Sequence, residues 1–183
     1  MLADSRHRKL SVEDEVGGAR LRPSFAEAGW VCDRNALMRR EGLGRPHEDV
    51  EEVALEDTRA LRIEWYLTYE HDADMHDAIV SAEDRISVRR GMRAFVVREN
   101  DVPVGFTLLA ATEGEDAAEI DQLYVTPDAR SRGLGGRLVE AALAAAGRDV
   151  AWVEADDEGK ARALYERLGF VTVWRQHAFV RQP

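Results

Sequence analysis

The segment best suited to chemistry is a basic, glycine-rich turn at residues 130–136. A predicted strand at residues 118–125 leads into this turn, and a predicted helix at residues 134–146, rich in Ala and Leu, follows it directly. A turn of this kind aims free backbone N–H groups and the positive end of the helix dipole at one point, which suits a pyrophosphate. Gly133 and Gly135 allow the backbone to approach such a ligand closely.

Two arginines in this turn, Arg130 and Arg132, can add charge-assisted hydrogen bonds to phosphate oxygens. The alternative is an ordinary basic turn between a strand and a helix. A dinucleotide site fits less well, because its fingerprint needs a third glycine where this chain has Leu138. A second Gly-x-Gly, at residues 42–44, is not expected to bind an anion, since Pro46 rather than a helix follows it.

The composition is that of a globular protein, with 183 residues, of which 45% are hydrophobic and 33% are charged. The formal net charge of −10 disfavours nucleic acid and anionic membrane surfaces as partners. The single cysteine, Cys32, excludes an internal disulfide. Residues 1–8 contain no apolar segment, and no apolar run approaches the ~20 residues of a membrane helix, so we expect a cytoplasmic protein.

The hydrophobic periodicity predicts an α/β protein with a mixed sheet covered by helices. A short strand, a helix and a longer strand occupy the first 40 residues, and a linker with two glycines and a proline follows. The second of two predicted helices, at residues 72–90, has an apolar stripe of Met75, Ile79, Ala82 and Ile86. Two strands then form a hairpin, and a third strand follows at residues 118–125. From this third strand onward the order is strand-helix-strand-helix-strand.

The pattern Arg130-x-x-Gly133-x-Gly135 resembles the acyl-CoA-binding motif of the Gcn5-related N-acetyltransferase (GNAT) family, usually R/Q-x-x-G-x-G/A. Residues 161–170, ARALYERLGF, resemble the family's second signature, A-x-x-L-Y-x-x-x-G-F. The two motifs occur in the family's order with a strand between them, and the resemblance covers about residues 50–183. It implies the GNAT acyl-CoA N-acyltransferase fold and acetyl-CoA, or another acyl-CoA, as co-substrate.

The resemblance implies that an amine attacks the thioester directly, with Tyr165 as the general acid for the departing thiolate. The alternative for Tyr165 is a place in a plain core stripe of its helix. The Val125 N–H is the expected oxyanion donor, and the strand is expected to bulge around residues 123–125. The residues expected to bind acyl-CoA are Leu123, Tyr124, Val125, Arg130, Ser131, Arg132, Gly133, Leu134, Gly135 and Gly136.

Three carboxylates are candidates for the general base, and the sequence leaves the choice among them open. Glu119 lies eleven residues before Arg130, which matches the base of the family's histone-modifying branch. Glu154 resembles the base position of a branch that acetylates protein N-termini, and Asp121 shares a strand face with Glu119. Each could instead be a solvated strand carboxylate, and water could relay the proton.

One departure from the family pattern is Glu158, which stands where many members have an asparagine that contacts the cofactor. It belongs to an acidic run at residues 156–158, which either binds the acceptor amine or caps the following helix; capping is the preferred interpretation. We expect no metal site, because His71 and His76 are five residues apart and fall on different sides of a helix.

The N-terminal segment echoes the C-terminal one. Phe25-Ala-Glu-Ala-Gly29-Trp30 parallels Tyr165-Glu-Arg-Leu-Gly169-Phe170, and each run lies between a short strand and a longer one. We interpret residues 1–45 as a structural strand-helix-strand remnant of a first acyltransferase repeat, and residues 46–183 as the GNAT domain. The alternative is a coincidental pattern of strands and a helix.

The expected function is transfer of an acetyl or similar acyl group from acyl-CoA to a primary amine. The acceptor is expected to be a small-molecule or peptide amine, bound by the two helices at 56–90 and the loop near 112–117. A homodimer is possible for such a chain. The alternative function is a non-catalytic module that keeps the fold and binds acyl-CoA or a partner.

Overall fold

The computed structural model describes residues 8–68, 73–111, 114 and 116–181. The chain divides into two compact units: unit 1 contains the residues up to Arg40 and those from Val153 onward, and unit 2 is Glu41–Trp152. The α-helices are α1 (Glu15–Glu27), α2 (Arg59–Leu67), α3 (Ala73–Arg89), α4 (Leu134–Ala146) and α5 (Lys160–Arg167). The strands are β1 (Arg8–Val12), β2 (Val31–Glu41), β3 (Val50–Val53), β4 (Arg93–Glu99), β5 (Val102–Ala110), β6 (Ala117–Val125), β7 (Val150–Asp156) and β8 (Val171–Arg181).

This succession of strands and helices confirms the predicted α/β class. The described part of the chain contains no helix long and apolar enough to cross a membrane. The assignment of residues 1–45 to a separate repeat stays a prediction, because spatial units and repeats need not coincide.

Unit 2 is built on the antiparallel strands β6, β5, β4 and β3, in that order. Helix α4 packs against β4, β5 and β6. The predicted hairpin is confirmed, and its two turn residues, Asn100 and Asp101, have φ angles of 51° and 64°, as a tight hairpin turn requires. Side chains of α2 and the sheet form an apolar core: Leu61, Ala94, Val96, Phe106, Leu108 and Tyr124.

No helix follows the Gly-x-Gly at residues 42–44, as predicted, and Gly44 is instead a site of close backbone packing. A Cβ on Gly44 would lie 2.2 Å from the Glu140 carbonyl oxygen of α4. The backbone N–H of Arg45 donates to Glu140 Oε2 at 2.9 Å. These contacts fasten the linker to the helix whose other end forms the predicted anion site.

The predicted apolar stripe of α3 is wrong at Ile86, whose side chain is 57% exposed. The buried face instead contains His76, Val80 and Ser87, and the side chain of Met75 lies outside the described residues. The helix presents Glu83 and Asp84 to a fully buried arginine of α2, Arg62. A buried guanidinium needs ionic partners, and this requirement overrides the apolar stripe.

Unit 1 has the strand order β1-β8-β2, followed by the part of β7 from Val153 onward. Both strands of the N-terminal segment, β1 and β2, run antiparallel to β8 and lie on either side of it. The segment is therefore an integral part of this sheet and is no loose extension.

The expected echo recurs in the geometry of two helix ends. The aromatic rings of Phe25 and Trp30 are 5.1 Å apart with an interplanar angle of 82°, and those of Tyr165 and Phe170 are 5.5 Å apart with an angle of 69°. The Trp30 N–H donates to the Phe25 carbonyl at 2.9 Å, and the Phe170 N–H donates to the Tyr165 carbonyl at 3.0 Å. Each helix ends at a glycine of positive φ, 78° at Gly29 and 86° at residue 169.

The pairing of β2 with β8 has nearly the symmetry that two equivalent repeats would give. Val31 pairs with Val180. In the echo, Val31 is equivalent to Val171 and Arg40 is equivalent to Val180, so exact symmetry would pair Val171 with Arg40. The observed partner of Val171 is Arg39, one residue away, and a register shift between Leu37 and Met38 accounts for the difference. The two segments thus share one local fold.

We predict that Gly18→Ala destabilises unit 1. A Cβ on Gly18 would lie 2.4 Å from Cδ2 of His177, whose side chain is buried between α1 and β8. Overpacking of this kind lowers the free energy of unfolding by about 1–3 kcal/mol, which urea denaturation measures.

Gly17→Ala is the comparison variant, because its added Cβ would meet the exposed Asp14 side chain that caps α1, so its cost should not exceed the ~1 kcal/mol of a lost N-cap. The Gly18→Ala, His177→Ala double variant should recover part of the loss. Equal stability of Gly18→Ala and wild type would contradict the observed packing of α1 on β8.

Candidate active site

The predicted anion site lies in unit 2, where the chain passes from β6 into α4. Residues 127–129 form one 3₁₀ turn, Ser131 has a φ angle of 64°, and Gly133 has a φ angle of 80°. Gly133 is the N-cap of α4 and has no side chain with which to cap the helix. The first-turn N–H groups of α4, together with the helix dipole, are thus left for a ligand.

Space around Gly133 fits an anionic group. A Cβ built on Gly133 would meet nothing within 4 Å, so the approach to the helix end is open. Leu134, by contrast, is buried and anchors the first turn in the core. The residues present therefore suit a bound phosphate or pyrophosphate through backbone donors.

The two arginines of the turn bind protein groups. Arg130 Nε donates to the Val125 carbonyl at 2.9 Å, and its guanidinium lies 5.5 Å from the centre of the Tyr124 ring. Arg132 Nη1 donates to both carboxylate oxygens of Glu99, at 2.7 and 2.9 Å. Both side chains hold the turn in shape. Their expected contact with a ligand stays a prediction.

Strand β6 presents two alternating faces, as predicted. Residues 118, 120, 122 and 124 are buried, whereas Glu119, Asp121 and the other odd positions are more exposed. The expected bulge at residues 123–125 is absent from the pairing with β5, which is regular there. The register shift instead lies at Asp121, between the pairs Leu108–Gln122 and Leu109–Ile120.

The Val125 N–H points away from β5. Successive N–H groups of a strand point to opposite sides, and the Thr126 N–H donates to the Val104 carbonyl of β5 at 2.9 Å. The neighbouring N–H of Val125 therefore has the direction that an oxyanion donor outside the β5–β6 pair needs.

The three carboxylates proposed as bases have different surroundings. Glu119 Oε2 accepts a hydrogen bond from Arg90 Nη2 at 2.6 Å. Glu154, in unit 1, accepts from the side-chain amides of Asn35 at 2.6 Å and Gln176 at 2.8 Å. These donors occupy one carboxylate oxygen of Glu119 and both carboxylate oxygens of Glu154, which a base would use.

Asp121 differs from the other two candidates, because the pKa of its carboxyl is raised. Loss of solvation raises the pKa of its carboxyl, and repulsion from Glu119 raises it further. Glu83 acts in the same direction, while Arg90 and Arg62 oppose it. A base with a raised pKa accepts a proton more readily near neutral pH.

Tyr165, the predicted acid, lies in α5 of unit 1. Its side chain is 4% exposed, and burial raises the pKa of its phenol above the ordinary value of 10.0. The hydroxyl therefore carries its proton throughout the neutral range. The predicted core packing is also present, because its ring contacts Phe170 edge to face.

A polar network between α2, α3 and β6 was missed by the sequence reasoning. Glu83 accepts hydrogen bonds from Tyr66, Arg62 and Gln122. Its members come from three separate segments, so no local sequence pattern predicts it. Two members of the network, Glu83 and Arg62, act on the pKa of the Asp121 carboxyl: Glu83 raises it and Arg62 lowers it.

A second missed contact involves Tyr124, whose hydroxyl donates to Glu64 Oε1 at 2.9 Å. Burial and this carboxylate raise the pKa of Tyr124 to about 12. Tyr124 is thus fixed between α2 and the guanidinium of Arg130, and it links the helix pair to the anion turn.

The acidic run at residues 156–158 does not gather its carboxylates to one point. Asp156 accepts from the Glu158 N–H at 3.0 Å and so stabilises the turn before α5. The preferred capping interpretation is wrong, because the N-cap of α5 is Gly159 and no side chain caps the helix. Asp157 is buried among arginines, and Glu158 lies 3.8 Å from Arg22.

Among the described residues, no group of three or more metal-ligand side chains is placed to hold an ion. His71 and residues 112, 113 and 115 of the expected acceptor loop lie outside the described residues.

Comparison with known proteins identifies the family. A family model described as "Acetyltransferase (GNAT) family" matches residues 53–170, which is more than half of the chain. The chain therefore belongs to the GNAT acetyltransferase family, as the two motifs predicted.

Two curated relatives illustrate the similarity. The mycothiol acetyltransferase of Rhodococcus opacus (strain B4) is 38% identical over 93 residues, which cover 51% of this chain and 30% of the relative. The peptidyl-lysine N-acetyltransferase YjaB of Escherichia coli (strain K12) is 34% identical over 108 residues, which cover 55% of this chain and 68% of that protein. The chain thus matches less than a third of the length of the first relative.

Solved structures show the same fold. A functionally unknown conserved protein from Staphylococcus epidermidis has a TM-score of 0.75 at 20% identity, over 97% of this chain and 73% of that chain. A tandem GNAT protein from the clavulanic acid biosynthesis pathway has a TM-score of 0.65 at 15% identity, over 97% and 64% of the two chains. Both alignments include the N-terminal segment, since they cover nearly the whole chain.

We predict that Gly133→Ala weakens binding of acetyl-CoA. The variant should lose about 1 kcal/mol of stability, because alanine is strained at positive φ, and its methyl group would stand at the open helix end. We expect a dissociation constant for acetyl-CoA at least ~10-fold higher, as one lost charge-assisted contact would give, measured by isothermal titration.

Gly147→Ala provides the control at the opposite end of the same helix. Gly147 has a φ angle of 61° and equally open surroundings, so its substitution should cost similar stability and leave binding unchanged. Equal binding by both variants would show that the N-terminus of α4 is not the acyl-CoA site.

Proposed function

We propose that this protein is an acyl-CoA-dependent N-acyltransferase that transfers an acetyl or similar group to a primary amine. The observation that carries the proposal is the open N-terminus of α4 at Gly133, which suits the pyrophosphate of CoA. Membership of the GNAT family supports it. A relative named for a peptidyl-lysine acceptor also supports an amine substrate, either of a small molecule or of a peptide.

Acyl-CoA would supply a thioester carbonyl, and the chain's own groups would bind and orient it. In this proposal the first-turn N–H groups of α4 hold the pyrophosphate, and Leu123 and Val125 lie along the acyl-bearing arm. The Val125 N–H donates to the carbonyl oxygen as negative charge develops there. Arg130 supports this arrangement by holding the carbonyl of the same residue.

The proposed reaction is a direct displacement. The amine nitrogen forms a bond to the acyl carbon and loses a proton to Asp121, directly or through water. The carbon–sulfur bond breaks, and the thiolate takes the phenolic proton of Tyr165. Burial raises the pKa of a thiol as it raises that of a phenol, so the two groups remain matched for transfer.

We predict that Tyr165→Phe lowers kcat by about 10²–10⁴-fold, the usual contribution of a general acid. The described residues donate no hydrogen bond to the Tyr165 oxygen and accept none from it, so the variant should keep its stability and its affinity for acetyl-CoA. Thiol release from acetyl-CoA with a panel of primary amines measures turnover. Unchanged kcat would remove Tyr165 from the mechanism, and absence of turnover in the wild type with intact binding would favour a non-catalytic module.

We predict that Asp121→Asn abolishes turnover, while Glu119→Gln shifts its pH dependence. A base works when it is deprotonated, so kcat/KM falls as the pH drops through the raised pKa of Asp121. Removing the Glu119 charge lowers the pKa of Asp121. The substitution also releases Arg90 from its ion pair, and the charge of Arg90 lowers the pKa of Asp121 further. The acidic limb of kcat/KM should therefore move to lower pH in Glu119→Gln.

Glu154→Gln is the control for the same assay, because its carboxylate is held by two amides in unit 1. We expect it to keep the wild-type pH profile. A profile altered by Glu154→Gln and unaltered by Asp121→Asn would transfer the base role to Glu154.

A further inference from the structure

Unit 1 contains a cluster of three arginines around one buried carboxylate. The Asp157 side chain is fully buried. It contacts Arg34 Nη2 at 2.5 Å, Arg162 Nη1 at 3.0 Å and Arg175 Nε at 3.0 Å. We call Asp157 and these three residues the arginine cluster.

The arginine cluster carries more positive than negative charge. Among the described residues, the other carboxylate bound to it is Glu166, which accepts from Arg162 Nε at 3.0 Å. Nearby acidic groups have other partners, since Glu158 lies against Arg22 and Glu154 accepts from two amides. Three guanidiniums therefore face two carboxylates, in a chain whose net charge is −10.

The cluster also has unused hydrogen-bond donors. A carboxylate offers about four acceptor sites, and three guanidiniums offer about fifteen N–H donors. Within the described residues, Arg34 Nε is buried without a hydrogen-bond partner, and Arg175 reaches Asp157 through Nε alone. Buried donors without acceptors are unfavourable, so the cluster is incomplete by itself.

His177 adds a polar group on the same face of the sheet. It pairs with Arg34 in the β2–β8 register and lies two residues beyond Arg175 on β8, so the three side chains share one face. Its side chain is 2% exposed, and neither ring nitrogen has a partner among the described residues. A neutral imidazole offers one N–H donor and one acceptor.

We propose that the arginine cluster and His177 form a binding site for a small oxyanion, with the charge and size of phosphate. A tetrahedral oxyanion accepts several N–H donors at once, and guanidiniums bind such groups in pairs of parallel hydrogen bonds. The anion would neutralise the surplus charge and take the donors that Asp157 leaves unused. All of the side chains that would bind the anion belong to unit 1. The site therefore differs from the α4 turn, which would bind an anion through backbone N–H groups.

The test is the thermal stability of the purified protein with inorganic phosphate, against chloride at the same ionic strength. Wild type should show a Tm that rises with phosphate concentration and saturates. Arg175→Met should raise the apparent dissociation constant by at least ~10-fold, as expected for the loss of a charge-assisted contact. Arg22→Met, an exposed arginine of the same unit, should not change it.

Asp157→Asn gives a prediction of the opposite sign. Removing the buried negative charge leaves the guanidiniums without their competitor, so phosphate should bind at least ~10-fold more tightly and should stabilise the variant more than wild type. Acetate in place of phosphate separates a site for any oxyanion from one selective for phosphate. A phosphate response that is absent in wild type, or equal in wild type, Arg175→Met and Asp157→Asn, would overturn the proposal.

Discussion

The candidate site depends on a backbone constraint at the junction of β6 and α4. The chain turns from strand to helix within a few residues, with Ser131 and Gly133 both at positive φ. A glycine at the N-cap leaves the first turn of α4 uncapped and open. Arg130 and Arg132 hold the turn through the Val125 carbonyl and Glu99, and the backbone and the helix dipole supply attraction for an anion at the helix end. Such a site can work in a protein whose overall charge is −10.

Unit 1 depends on a different constraint, which is the burial of Asp157. A buried carboxylate must be paired, and its partners join the N-terminal strand β2, through Arg34, to α5 and β8, through Arg162 and Arg175. Arg162 lies one turn before Tyr165 on α5. The ion cluster thus helps to set the orientation of the helix that holds the proposed general acid, and it connects the N-terminal segment to that helix.

Features with local signals could be predicted from the sequence. The glycine-rich turn and the hairpin at Asn100 are encoded within short segments, and the structure confirms both elements. The N-terminal echo recurs in two similar helix ends, while its origin as a repeat stays a prediction. The exposed Ile86 and the partners of Asp157 could not be predicted, because buried charges on distant segments determine them. The choice among base candidates was open for the same reason: Arg90 and the two amides that hold Glu154 come from elsewhere in the chain.

The most direct test of acyl-CoA recognition is the melting temperature of the purified protein with acetyl-CoA, with NADH as the comparison ligand. At about 100 times its dissociation constant, a ligand adds ~2.7 kcal/mol of stability. For a chain of this size, that is roughly 5–11 °C in Tm. The account predicts this shift with acetyl-CoA and none with NADH. No shift at millimolar acetyl-CoA, or an equal shift with both ligands, would contradict it.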